Sequence, residues 1–316
     1  MTDTPIAAAP QPRVEVFRSA LIGKGLIAAG LVFILTAGMA YLRLALQGDP
    51  LIADFDAFRQ AGLLALEGRP LDAYRIDAFM EAFEREFGEP ANYYWMYPPH
   101  YFFVATPLAM APRPVAFIGF LAATSALFAF VLRRLSPRGW VFTGLVFLPV
   151  YGLTVMIGQN GLLTAGLVGL FLLSARARED RMGVPLALMS LKPQLALAPC
   201  LIFLHLLTAR RLAIFLATGL GLAALTTLVY GADAWFAFLG AEGRLDQNDD
   251  ASVYRFDKFT SYFGLLAGWN MPLAPALAIH AALSAAVLCA IWRYSRSGAP
   301  EHHVWGVGIL ALVPVT

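Results

Sequence analysis

Charge is what this sequence has least of. Acidic and basic residues fill 14% of the 316 positions against 59% hydrophobic residues, and mean hydropathy is +0.65. That balance excludes a soluble domain and makes lipid the solvent for most of the chain. A formal net charge of +2, with no basic stripe or tail, excludes nucleic acid as a partner; Lys and Arg gather instead at the ends of apolar runs. Cysteine is nearly missing. Cys200 and Cys289 both lie inside apolar runs with no metal-ligand spacing around them, which excludes a disulfide framework and a cysteine metal site. There is also no internal repeat, so a transporter built from inverted halves lacks its usual signature.

What is present is a series of apolar runs. Candidate spans fall at 21–46, 114–132, 139–157, 161–175, 210–230 and 272–293, giving an all-α polytopic transmembrane bundle as one domain over 1–316, behind a disordered tail at 1–12. The run 21–46 is too long for the apolar core of a signal peptide and reads as an uncleaved first helix. The last stretch, 304–316, is shorter than the ~20 residues a crossing needs, so the expectation is either a fragment truncated at its C-terminus or an incomplete last helix. Positive clusters at Arg13 to Lys24, Arg133 to Arg138, Arg176 to Arg181, Arg210 with Arg211, and Arg293 to Arg296 are assigned to the cytoplasm by the positive-inside bias. Residues 47–96, the turn Gly158 to Asn160, and residues 231–271 then share the outer face.

Two segments fit no simple crossing. Residues 97–111 are too short to span and read as a short or re-entrant helix. Residues 183–207 carry basic ends on both sides and a Lys192-Pro193 break in the middle. They read as two half-helices that return to the side they left, the alternative being two ordinary crossings. In the first outer loop, Phe55, Phe58, Ala61, Gly62 and Ala65 recur at helical spacing, as do Phe79, Met80, Phe83 and Phe87. That pattern predicts two amphipathic helices along the membrane surface. Tyr93, Tyr94, Trp95 and Tyr97 form an aromatic cluster that serves as an interfacial belt or as a sugar platform.

Four blocks, in order over residues 45–230, carry a resemblance. They are Asp54-Phe-Asp-Ala-Phe-Arg-Gln-Ala-Gly62 with Gly68-Arg-Pro-Leu-Asp-Ala-Tyr74; Tyr97-Pro-Pro-His100 leading to Pro107-Leu108; Gly158-Gln-Asn160; and Leu191-Lys-Pro-Gln194 ahead of a run ending at Arg210-Arg211. Together the sequence resembles glycosyltransferase family 87, enzymes of GT-C type. The resemblance implies inverting transfer of a sugar, mannose or arabinofuranose in known members, from a polyprenyl-phosphate donor to a glycan or glycolipid hydroxyl. The reaction would take place at the outer face of a bacterial inner membrane. It also implies that the aspartate heading the first outer loop, Asp54, is the general base. Phe58 stands where that family commonly has Tyr, and Asp56 where some members have His.

The residue types suit that chemistry. A base must take a proton from the attacking hydroxyl, and positive charge must stabilise the departing phosphate. Asp54 is the chosen base with Asp56 second, since two residues apart on a helix they point roughly 200° from each other. The plain alternatives are a helix N-cap at Asp54 or a metal-binding Asp-x-Asp; a divalent metal is possible but not favoured, for want of a third carboxylate. Lys192 is the candidate for the donor phosphate, with Gln194 beside it, unless it is a lysine at a cytoplasmic helix end. Arg255 and Lys258 of the second outer loop are further candidates for the phosphate. Tyr97, His100, Gln159 and Asn160 are candidates for sugar or acceptor contact, against readings as interface or turn residues. The rival function is a transporter or flippase for a lipid-linked or polar solute.

Overall fold

The computed structural model describes residues 53–88, 95–245 and 261–312. Every regular element among the described residues is helical. The expected tail and first span, the aromatic pair Tyr93 and Tyr94, Arg255, Lys258 and the final residues after 312 lie outside that set.

Helix α1 (Ala53–Leu66) leads through a 3-10 turn, Pro70–Tyr74, to α2 (Ile76–Phe87). A second such turn, Pro99–Tyr101, opens α3 (Phe102–Ala109), and Pro112 then starts α4 (Arg113–Leu135). The expected span 139–157 is a bent pair, α5 (Trp140–Val146) and α6 (Leu148–Ile157), with 62° between α5 and the Val150–Ile157 part of α6. Pro149 in the first turn of α6 has no N–H to continue the ladder of α5, which is a sufficient cause of the break. Helix α7 (Gly161–Arg176) follows. The broken segment is α8 (Gly183–Leu188), two 3-10 turns on either side of Lys192, and α9 (Leu197–His205). The chain continues as α10 (Ala209–Tyr230), α11 (Asp233–Leu245), α12 (Tyr262–Gly268), α13 (Leu273–Ser295) and α14 (Glu301–Leu312).

Helices α4, α10 and α13, with 23, 22 and 23 residues, are long enough at ~1.5 Å per residue to cross a ~30 Å hydrocarbon layer. Their apolar side chains face outward, Leu228 being 83% exposed and Leu220 68% exposed. Such surfaces are stable against lipid and costly against water. The protein is a polytopic helical membrane protein.

The aromatic core gathers around α1 and the start of α3. Phe58 touches Tyr97 edge-on at 5.4 Å and Tyr101 at 5.3 Å between ring centres, and Trp95 stacks on Phe102 at 5.5 Å. Phe55 reaches across to Phe117 of α4 at 5.1 Å. Helix α2 is amphipathic, with Phe79, Ala82 and Phe83 inward. Helix α1 shows little amphipathy because it is enclosed: nearly every residue from Phe55 to Leu64 is buried. It is covered by α3, which approaches so closely that a Cβ at Gly62 would overlap the Ala105 carbonyl. Only glycine permits that contact. Asp56, with no exposed surface, is held by Arg113 through two parallel bonds of 2.8 Å each. That fork ties the start of α4 to α1.

Candidate functional site

Three separate stretches of chain meet at the N-terminus of α1. Helix α6 ends at Gly158, whose φ of 67° is the left-handed value that glycine adopts without strain. The turn that follows delivers Gln159 and Asn160. Gln159 Nε2 donates to Asp54 Oδ2 at 2.8 Å, and Gln159 Oε1 accepts the Asn160 backbone N–H at 2.9 Å. This second bond decides which end of the Gln159 amide faces the carboxylate.

The third stretch is the break at Lys192. Residues that precede proline are pushed out of the helical region, and Lys192 sits at φ −146°, ψ 75° between the two 3-10 turns. From there its Nζ donates to Asn160 Oδ1 at 3.1 Å. Asn160 Nδ2 donates in turn to the Tyr101 hydroxyl at 3.0 Å. Asp54 and Lys192 are therefore joined through two side-chain amides, near enough to interact electrostatically. The geometry places Lys192 at the same end of the molecule as Asp54.

His100 and Tyr97 flank this bridge, ahead of α3. Ser190 donates its proton to the Ala187 carbonyl at 2.6 Å, so the 3.0 Å contact between its Oγ and His100 is a bond donated by His100 Nε2–H. The Trp235 ring of α11 stacks on the imidazole at 5.9 Å. Burial pushes the His100 pKa down to about 4, partly offset by the bond to Ser190. The imidazole is neutral at ordinary pH. Tyr97 stacks against Tyr101 at 4.2 Å. Burial, with the Asp54 charge adding to it, pushes the Tyr97 hydroxyl up, so it remains a proton donor.

Of the sequence candidates, Asp54, Lys192, Gln159, Asn160, Tyr97 and His100 are thus brought together. Asp56 lies on the other flank of α1 with Arg113, and Gln194 is exposed. Asn160 has no exposed surface and both ends of its amide are occupied, so it faces protein rather than open solvent. Among the described residues no three His, Cys, Asp or Glu side chains converge. Sequence reasoning missed Tyr101, Arg113, Ser190 and Trp235. Tyr101 follows Tyr97 at a spacing of four, a helical interval that hinted at stacking. Nothing local marked the other three.

The fold and this site define a membrane-embedded helical protein with a buried polar cluster at one end. The sequence pattern of "Glycosyltransferase family 87" matches residues 95–314, more than half of the chain, and the protein belongs to that family. It is a membrane glycosyltransferase. The match includes Tyr97, His100, Gln159, Asn160 and Lys192, and starts after α1 and Asp54. No curated protein and no solved structure matches the chain significantly.

Proposed function

We propose that this enzyme transfers a sugar from a polyprenyl-phosphate donor to a hydroxyl of a glycan or glycolipid at the outer face of a bacterial inner membrane, with inversion at the anomeric carbon. The observation that carries the reading is the placement of one carboxylate and one ammonium in a single half-buried cluster, bridged by amides rather than exposed to bulk water. Asp54 is the base for the acceptor hydroxyl. Its proton passes from the attacking oxygen as the new glycosidic bond forms and the bond to phosphate breaks. Lys192 meets the phosphate that leaves, where a fixed cation in a poorly solvated site stabilises developing negative charge better than water does.

Tyr97 and His100 supply hydrogen bonds to sugar hydroxyls from the flanks of the cluster. Trp235, stacked on His100, adds an apolar face of the kind sugars pack against. Gln194, Arg255 and Lys258 are proposed to approach the phosphate from outside once the donor is bound.

The test uses purified full-length protein with a polyprenyl-phosphate sugar and glycolipid acceptors, comparing wild type with Asp54→Asn. Loss of a positioned base is expected to lower kcat by about 10²- to 10⁴-fold. Transfer that persists at the wild-type rate in Asp54→Asn overturns the assignment of the base. Solute flux across vesicles without any transfer would return the chain to transport.

A further inference from the structure

Asn160 occupies the N-cap of α7, where an asparagine side chain ordinarily turns back to accept a backbone N–H of the first turn. Here it makes no such bond. The whole amide is committed elsewhere, with Nδ2 donating to Tyr101 and Oδ1 accepting from Lys192, and the residue has no exposed surface. The direction of that amide is decided by its partners. An ammonium can only donate, so it requires Oδ1, and the NH2 end then needs a buried acceptor, which is the Tyr101 hydroxyl.

The arrangement has an electrostatic consequence. Lys192 and Asp54 attract each other, and in a half-buried site a carboxylate and an ammonium that touch form a pair each is slow to leave. Such a pair would hold the carboxylate in its charged, weakly basic form and occupy the cation. In the structure the attraction is mediated instead: the ammonium is held by Asn160, and the carboxylate by Gln159, whose own orientation depends on the Asn160 backbone N–H.

We propose that Asn160, locked by Tyr101, is a spacer that holds Lys192 off Asp54 so that the two groups keep separate partners until substrates arrive. Asn160 and Tyr101 are positioning residues. The proposal rests on the assignment of Asp54 and Lys192 above, and deepens it.

Removing either positioning residue frees Lys192 to close on Asp54. The direct pair then favours the charged amine, and its midpoint of titration rises. The test measures the pH dependence of Lys192 acylation by acetic anhydride in the purified full-length protein, read by mass spectrometry, so that turnover is not needed. In Tyr101→Phe and in Asn160→Ala the midpoint is expected to rise by about one pH unit, a roughly tenfold slower reaction at fixed pH. Adding Asp54→Asn to either variant is expected to return the midpoint toward its original value. In transfer assays the acidic limb of the kcat/KM profile is expected to move to lower pH in both single variants.

An unmoved Lys192 midpoint in Tyr101→Phe overturns the proposal. So does a shift that survives the added Asp54→Asn. Tyr101→Phe keeps the ring and its stacking, so a folding failure of Asn160→Ala leaves the test standing. The labelling result is separate from the base assignment: if Asp54→Asn transfers sugar normally, the base is wrong, while the acylation midpoints still decide the spacer.

Discussion

The two ends of this molecule handle charge in opposite ways. At the end where α7 finishes and α10 and α14 begin, Arg178 forks onto Glu301, Arg210 and Arg211 meet Asp180, and Arg181 meets Glu179, mostly at exposed or half-exposed positions. At the end where α1 begins, Asp54, Lys192, Asn160 and Tyr101 are largely withdrawn from solvent and linked through neutral amides, while Asp56 is sealed against Arg113. Exposed pairs of the first kind contribute little stability and are screened by salt. Their arginines matter for which side of the membrane they choose. Buried groups of the second kind carry a desolvation cost, and the cluster around Asp54 persists because each polar atom named has a partner.

That contrast can be broken or sharpened by substitution. The largest structural effect is expected at Asp56. Asp56→Ala leaves the Arg113 guanidinium facing a buried void, and stability should fall by about 3–5 kcal/mol, measured by thermal unfolding in detergent; an unchanged melting temperature would mean that the fork does not tie α4 to α1. Gly62→Ala comes next. Its Cβ meets the Ala105 carbonyl, which is backbone and cannot swing aside, so a loss of about 1–3 kcal/mol is expected. Gly219→Ala, with open space around it, is the matched control and should be neutral.

His100 gives the end at α1 a pH signature. Its pKa is lowered on folding, so the unfolded chain binds the proton more readily, and stability falls as pH drops from the ordinary histidine value of about 6.5 toward the folded value of about 4. Comparing melting at about pH 7 and about pH 5, wild type should lose roughly 1–2 kcal/mol more than His100→Gln. Equal losses would show that the imidazole titrates freely. The smallest effect is expected at the other end: Arg178→Met breaks the exposed pair with Glu301 and should cost no more than about 1 kcal/mol, with transfer unchanged.

Much of the fold was legible from apolar run length. The spans at 114–132, 210–230 and 272–293 became α4, α10 and α13 within a few residues at each end, because a membrane crossing is a one-dimensional requirement on hydropathy and length. The break at Lys192-Pro193 was legible too, since proline's missing N–H and its effect on the residue before it act locally. The enclosure of α1 by protein was not. Its pattern of Phe55, Phe58, Ala61 and Ala65 shows one apolar face, but the remaining faces are covered by α3 through the glycine at 62 and by the Asp56–Arg113 fork. Those contacts join residues far apart in the chain. Tyr101 and Ser190 were missed for the same reason, their partners being 59 and 90 positions away.

By itself the sequence determined that the chain lives in lipid, where its long helices run, and which short polar blocks interrupt them, because backbone hydrogen bonding in a hydrocarbon leaves helices as the available solution. The tertiary structure alone decided which of two neighbouring aspartates enters the polar cluster and which is sealed on the other flank of α1, and that a glutamine and an asparagine stand between the carboxylate and the ammonium. Hydrogen bonds are short and directional. Only three-dimensional packing can choose their partners.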